Sequence, residues 1–192
     1  MDFKLFEDQL FIHGLNAFKK IRTMRPDDHF YCFAFFTSGE FGYMASTASS
    51  YEGLEEVAQR YKQMEFYSHK ELGDLKRELK WSPGDSPLHR ECGGTIDSLQ
   101  GLMDQISQEL QDTPVENDDW SEFEAYVSKV NQAVESALGR IDAEGVFGIG
   151  DERRGIVVNL LMGDQDDWSR IEFAKRVNPL ETVQMLIADL DA

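Results

Sequence analysis

The stretch "HFYCFAFFT", residues 29–37, decides how this chain folds. It is aromatic and apolar at consecutive positions, so neither face of an extended segment is left polar. That is the mark of a strand covered on both sides. Such a strand must lie in the middle of a sheet with further layers above and below it. "SG" at 38–39 is a short turn signal, and "EFGYMAST" (40–47) reads as a hairpin partner.

The segments around it are helical. Residues 3–22 are apolar at Phe3, Phe6, Leu10, Ala17 and Ile21, which is helical spacing. Lys19, Lys20 and Arg22 crowd the C-terminal turn, where the helix dipole favours cations, and Pro26 is a stop. "SSYE" (49–52) offers a capping box, Ser49 with Glu52, before a stripe of Leu54, Val57, Tyr61 and Met64. Leu72, Leu75 and Leu79 predict a short helix. Ile96, Leu99, Met103, Ile106 and Leu110 predict another, before the polar connector "QDTPVENDD" (111–119). Asp119 is placed to cap a long helix with Trp120, Phe123, Val127, Val130, Val134, Leu138 and Ile141 on one face. Gly145 is its C-terminal glycine. "GIVVNLLM" (155–162) is a β-branched strand, "GDQDD" (163–167) turns into a helix from Trp168, and "NPLE" (178–181) starts the last helix, with Asn178 as cap and Pro179 first. Few strands among many helices predict one α+β domain over residues 1–192. Its sheet is expected to be small and mostly antiparallel, about three or four strands, with 29–37 at its centre.

At 192 residues with 41% hydrophobic residues, the chain can bury a sizeable core without staples. Two cysteines, Cys32 and Cys92, are too few for a disulfide framework and read as reduced thiols in a cytoplasmic protein. "MDFKLFEDQL" carries acids where an export signal carries bases, and the apolar run "FYCFAFF" (30–36) is too short to span a membrane. The net charge of −17 argues against nucleic acid and anionic lipid as partners and favours a basic protein. Nine of the acids fall in residues 101–135 against one base, Lys129. Glu116, Asp118, Asp119 and Glu122 are the partner-binding candidates there, against the simpler reading of a solvated helix face.

"LKWSPGDSPLH" (79–89) holds Ser82, Asp85, Ser86 and His89, the residue types of a hydrolase triad. A triad is assembled from separated segments, and the Gly-x-Ser-x-Gly elbow is absent. "SPGD" instead suits a turn with Pro83 second and Gly84 at positive φ, and Trp81 would anchor the core with its indole N–H on a carbonyl. His89 and Cys92 have the spacing of half a zinc site, but the other candidate ligands (His13, His29, His69, Cys32) lie at irregular distances, so no metal is expected. "GVFGIG" (145–150) follows a helix and precedes a strand, the reverse of a dinucleotide loop. It reads as a helix stop with Phe147 plugging the core, and no cofactor is expected.

Three segments occur in order: "FYCFAFFTSGEFGYMASTAS", "LKWSPGDSPLH" and "IDAEGVFGIGDERRGIVVNLLM…RVNP". Through Tyr31, Phe33 and Thr37, Lys80-Trp81-Ser82, Asp142, Gly145, Phe147, Gly148 and Asn178-Pro179, the chain resembles a bacterial family, domain of unknown function 4303. Ile141 stands where that family usually has Leu, and "LLMGDQDD" departs from its pattern. The resemblance implies a small cytosolic protein, in some cases in settings similar to polymorphic toxin and immunity loci, and it defines no catalytic residues.

Two functional expectations follow. The first is a non-catalytic acidic protein-binding module, an immunity-type inhibitor of a basic toxin or similar bacterial partner. The alternative is a ligand-binding protein or enzyme whose anion pocket unites Lys80, Ser82, Asp85 and His89 with Arg153 and Arg154. A pocket lined by both segments would favour the second.

Overall fold

The computed structural model describes residues 1–89, 96–115, 119–163 and 165–191. The sequence places apolar residues at helical spacing in most of the chain, and eight α-helices and three strands form among the described residues. In order they are α1 (Phe3–Met24), β1 (Phe30–Thr37), β2 (Ala45–Ser50), α2 (Tyr51–Lys62), α3 (Leu72–Leu79), α4 (Gln100–Asp112), α5 (Ser121–Ala143), α6 (Asp151–Arg154), β3 (Val157–Met162), α7 (Asp167–Val177) and α8 (Leu180–Leu190). The fold is α+β. The sheet order is β2-β1-β3, and every residue of β1 is buried, as its doubly apolar sequence requires.

The sheet is mixed where a mostly antiparallel one was expected. β2 pairs with β1 antiparallel, but β3 runs parallel to it, Cys32 opposite Val157 through Thr37 opposite Met162. The long helical excursion between β1 and β3 supplies the crossover that a parallel pair needs. The hairpin partner is also displaced. β2 begins at Ala45, so Ser50 rather than Ser49 precedes α2, its Oγ accepting from Gly53 N at 3.0 Å and donating to Asp28 at 2.6 Å. Glu52, in the first turn of α2, holds His29 through the backbone N–H (2.8 Å) and the ring Nδ1 (2.7 Å).

A bulge in β1 sorts its side chains. The register shifts between Phe30 and Cys32, so Phe30 shares a side with Phe33 and Phe35. These three pack against α1, α4 and α5, with Phe18 and Phe147 edge-on to Phe33 and tilted against it. Tyr31, Cys32, Ala34 and Phe36 form the second side, with Leu54 of α2, Leu79 of α3 and Trp81. Burial pushes the Cys32 thiol up to about 12. A third cluster, Val157, Ala174 and Leu186, packs α7 and α8 onto β3 and also touches Trp81.

Turn chemistry explains the α5–β3 connection. Gly145, Gly148 and Gly150 all take positive φ, which non-glycine residues rarely adopt, and Phe147 is fully buried between them. At the 79–89 corner the expected positive φ at Gly84 is not found; Pro83–Asp85 forms a single 3₁₀ turn instead. Asn178 does not open α8 as predicted. It closes α7, and its side chain ties that helix end to β3, accepting from Val158 N (2.8 Å) and donating to Val158 O (2.7 Å). No helix among the described residues is long and apolar enough to cross a membrane.

Candidate functional site

The corner at 79–83 does more than turn. α3 presents Leu75 and Leu79 inward, so its C-terminal residues Lys80 and Trp81 arrive beside β1. The β1 bulge aims Tyr31 at them. Tyr31 Oη donates to the Lys80 carbonyl at 2.7 Å, its ring meets Trp81 edge-on at 5.5 Å, and burial holds its proton well above the usual phenol range. Lys80 Nζ then lies 5.5–5.8 Å from the ring centroids of Tyr31, Tyr51 and Trp81 and pairs with Asp189 of α8 at 2.6 Å.

Tyr51, Lys80, Trp81 and Asp189 form one wall of a cleft of about 820 Å³, a volume in the range of small-molecule sites. The opposite wall comes from the end of β3 and the start of α7: Met162, Gly163, Asp167 and Arg170. Four cations (Lys76, Arg77, Lys80, Arg170) and three carboxylates (Glu78, Asp167, Asp189) line it, a local cationic excess in a chain of charge −17. Arg170 is the least exposed of the cations, its side chain 12% accessible, and it pairs with Asp167 at 3.3 Å. Among the described residues no histidine or cysteine lines the cleft. Its serine hydroxyl, Ser82 Oγ, donates to Asp85 at 2.6 Å, so the described lining pairs no serine nucleophile with a histidine base.

The structure distributes the other sequence candidates elsewhere. Asp85 takes hydrogen bonds from Ser82 and from Tyr61 Oη (2.5 Å) and serves the corner itself. His89 lies edge-on to Phe36 at 4.8 Å. Arg153, a candidate for the anion pocket, is buried. Nε donates to both Asp142 carboxylate oxygens (2.8 and 2.9 Å), Nη1 to Ile156 O (2.8 Å) and Nη2 to Val177 O and Asn178 Oδ1. It is a strut between α5, α6 and α7, not an anion receptor. Arg154 pairs with its neighbour Asp151. Neither arginine lines the cleft. Sequence reading missed Tyr51, Arg170 and Asp189, because each looks locally like an ordinary surface helix position.

The acid-rich region separates into ties and free charge. Glu109 accepts from the chain's N-terminal ammonium (2.8 Å) and from Tyr126 Oη (2.9 Å), and Glu135 pairs with Arg176 at 2.6 Å. Asp112, Asp119, Glu122 and Glu124 form no ion pair with a Lys or Arg among the described residues. Glu122 and Glu124 stand in the first turn of α5, where the helix dipole favours acids. The Ser121 N–H holds the Asp119 carboxyl below its usual range. Between them Trp120 is 51% exposed, its ring edge-on to Phe123 at 5.6 Å. Glu116 and Asp118 lie outside the described residues, as does Cys92. Among those described, no cluster of three or more His, Cys, Asp and Glu could hold a metal ion.

A family model described as a domain of unknown function (DUF4303) matches residues 15–179. No curated protein and no solved structure matches the chain.

Proposed function

Because the chain belongs to the DUF4303 family, whose description assigns no activity, we propose its function from its own surfaces: a non-catalytic acidic module of the immunity type that binds a basic toxin or a similar basic bacterial protein. Trp120 carries the reading. It is a large aromatic, half exposed, beside Asp119, Glu122 and Glu124, none of which meets a base within the chain's described residues. Exposed tryptophans are the commonest energetic anchors of protein interfaces. Unpaired carboxylates around one raise the encounter rate with a cationic partner and reject an anionic one. In sequence, Glu116 and Asp118 extend the same acidic run. The compartment we propose is the cytoplasm, supported by the buried free thiol of Cys32.

The test is surface plasmon resonance, at several salt concentrations, with the product of the adjoining gene. Trp120→Ala should weaken binding by about tenfold or more, chiefly through faster dissociation. Glu122→Lys should slow association and flatten its salt dependence. A neighbour that does not bind, or that binds both variants like the parent, would remove this function.

A further inference from the structure

Two buried polar atoms among the cleft-lining residues, Arg170 Nε and Trp81 Nε1, have no hydrogen-bond partner among the described residues. Both are donors that can never accept. Leaving such a group without a partner is costly, and most for the charged one. What the cleft lacks is therefore an acceptor, and beside a guanidinium the strongest acceptor is an anionic oxygen.

We infer that the cleft between the α3 exit and the start of α7 is a binding site for a small organic anion, a phosphate monoester or free carboxylate carried on an apolar, ring-sized body. The anionic oxygens complete Arg170 and lie within the field of Lys80. The body rests on Tyr51, whose ring is half exposed, and on Leu54 and Leu190 at the cleft floor. Both nitrogens belong to lining residues but are themselves buried, so an acceptor reaches Arg170 Nε as that side chain turns toward the cleft and reaches Trp81 Nε1 by a shift of the indole. Lys80 is not free in the unliganded protein: Asp189 holds it at 2.6 Å. An entering anion thus competes with Asp189 for Lys80, and α8, which carries Asp189, is the element whose end responds. The site shares no residue with the acidic end around Trp120 and stands whether or not that end binds a protein.

Phenyl phosphate is the probe, titrated into the full ¹⁵N-labelled chain. The Trp81 indole N–H and Arg170 Nε–H signals should move together along one saturable curve, with a Kd of about 1 mM or tighter. Arg170→Lys, which keeps the charge but loses the Nε donor, should weaken binding by about tenfold. Lys80→Gln should weaken it too, and it guards against an Arg170 variant that fails to fold. Inorganic phosphate should bind less tightly than phenyl phosphate, and benzylammonium should leave both signals in place. Unmoved signals at ~10 mM phenyl phosphate, equal binding by benzylammonium, or two variants that bind like the parent would each overturn the anion site. Inorganic phosphate binding as tightly as phenyl phosphate would overturn the apolar body.

Discussion

Arg153 Nε donates to both carboxylate oxygens of Asp142, at 2.8 and 2.9 Å, from a side chain only 9% exposed. The other ends of the guanidinium reach backbone carbonyls at the start of β3 and the end of α7. A surface-looking "ERR" thus contributes the pin that joins the α5 exit to the sheet.

Removing Arg153 leaves the partly exposed Asp142 carboxylate and two backbone carbonyls without their donor. Arg153→Ala should lower the unfolding free energy by about 3 kcal/mol, read from urea midpoints. Arg154→Ala, whose partner Asp151 is exposed, should stay within about 0.5 kcal/mol. Equal midpoints for the two variants would show that Arg153 is not the pin.

Trp81 is half-buried, and its indole N–H is unsatisfied rather than carbonyl-bound as the sequence suggested. Trp81→Ala should cost about 3 kcal/mol, through loss of packing that links two apolar clusters. Trp81→Phe should stay within about 1 kcal/mol, because it keeps an edge for Tyr31 and removes an orphan donor. The comparison of the two by thermal and urea unfolding separates ring packing from the N–H.

Gly14 lies inside α1, where alanine is the better helix former by about 1 kcal/mol. A Cβ there would stand 2.9 Å from Phe35 Cε1 and 3.1 Å from Ile141 Cδ1. Overpacking of a core contact costs about 1–3 kcal/mol. Gly14→Ala should therefore destabilise the protein despite the helix gain, whereas Gly101→Ala, with nothing near its Cβ, should not. A more stable Gly14→Ala protein would mean that Phe35 can yield.

His29 and Glu52 couple the start of β1 to α2. The Glu52 hydrogen bond raises the His29 pKa above 6.5, and the same bond lowers that of Glu52 below 4.5. A raised histidine contributes stability that is complete below its unfolded pKa and is lost as pH climbs through the folded value. A lowered carboxylate contributes above its unfolded pKa and is lost as pH falls through the folded value. The pair is therefore strongest between the two ordinary values and weakens on both sides. An NMR titration should give His29 a midpoint above 6.5 that returns toward it in Glu52→Gln. An unchanged midpoint in that variant would show that Glu52 does not hold the ring.

The sequence by itself determined every helix but the short α6, the doubly buried strand at 29–37, the strand read at 155–162 and found at Val157–Met162, and the acidity of the α4–α5 end. Those depend on periodicity, capping and composition, which act over a few neighbouring residues. Legibility stopped where partners are distant. Nothing near Arg153 shows that Asp142 awaits it, because the pair closes only when α5, α6 and β3 meet. The direction of β3 beside β1, and the slip that made Ser50 the cap, were set by how the whole sheet pairs. The cleft is the same kind of object. Lys80 was visible as a candidate, but Tyr51, Arg170 and Asp189 lie far apart in the chain, and only the packing of α3, α7 and α8 on one side of the sheet brings them to a common cleft. A site assembled from single residues on separate helices leaves no local pattern, since each of those residues satisfies its own helix as an ordinary surface position.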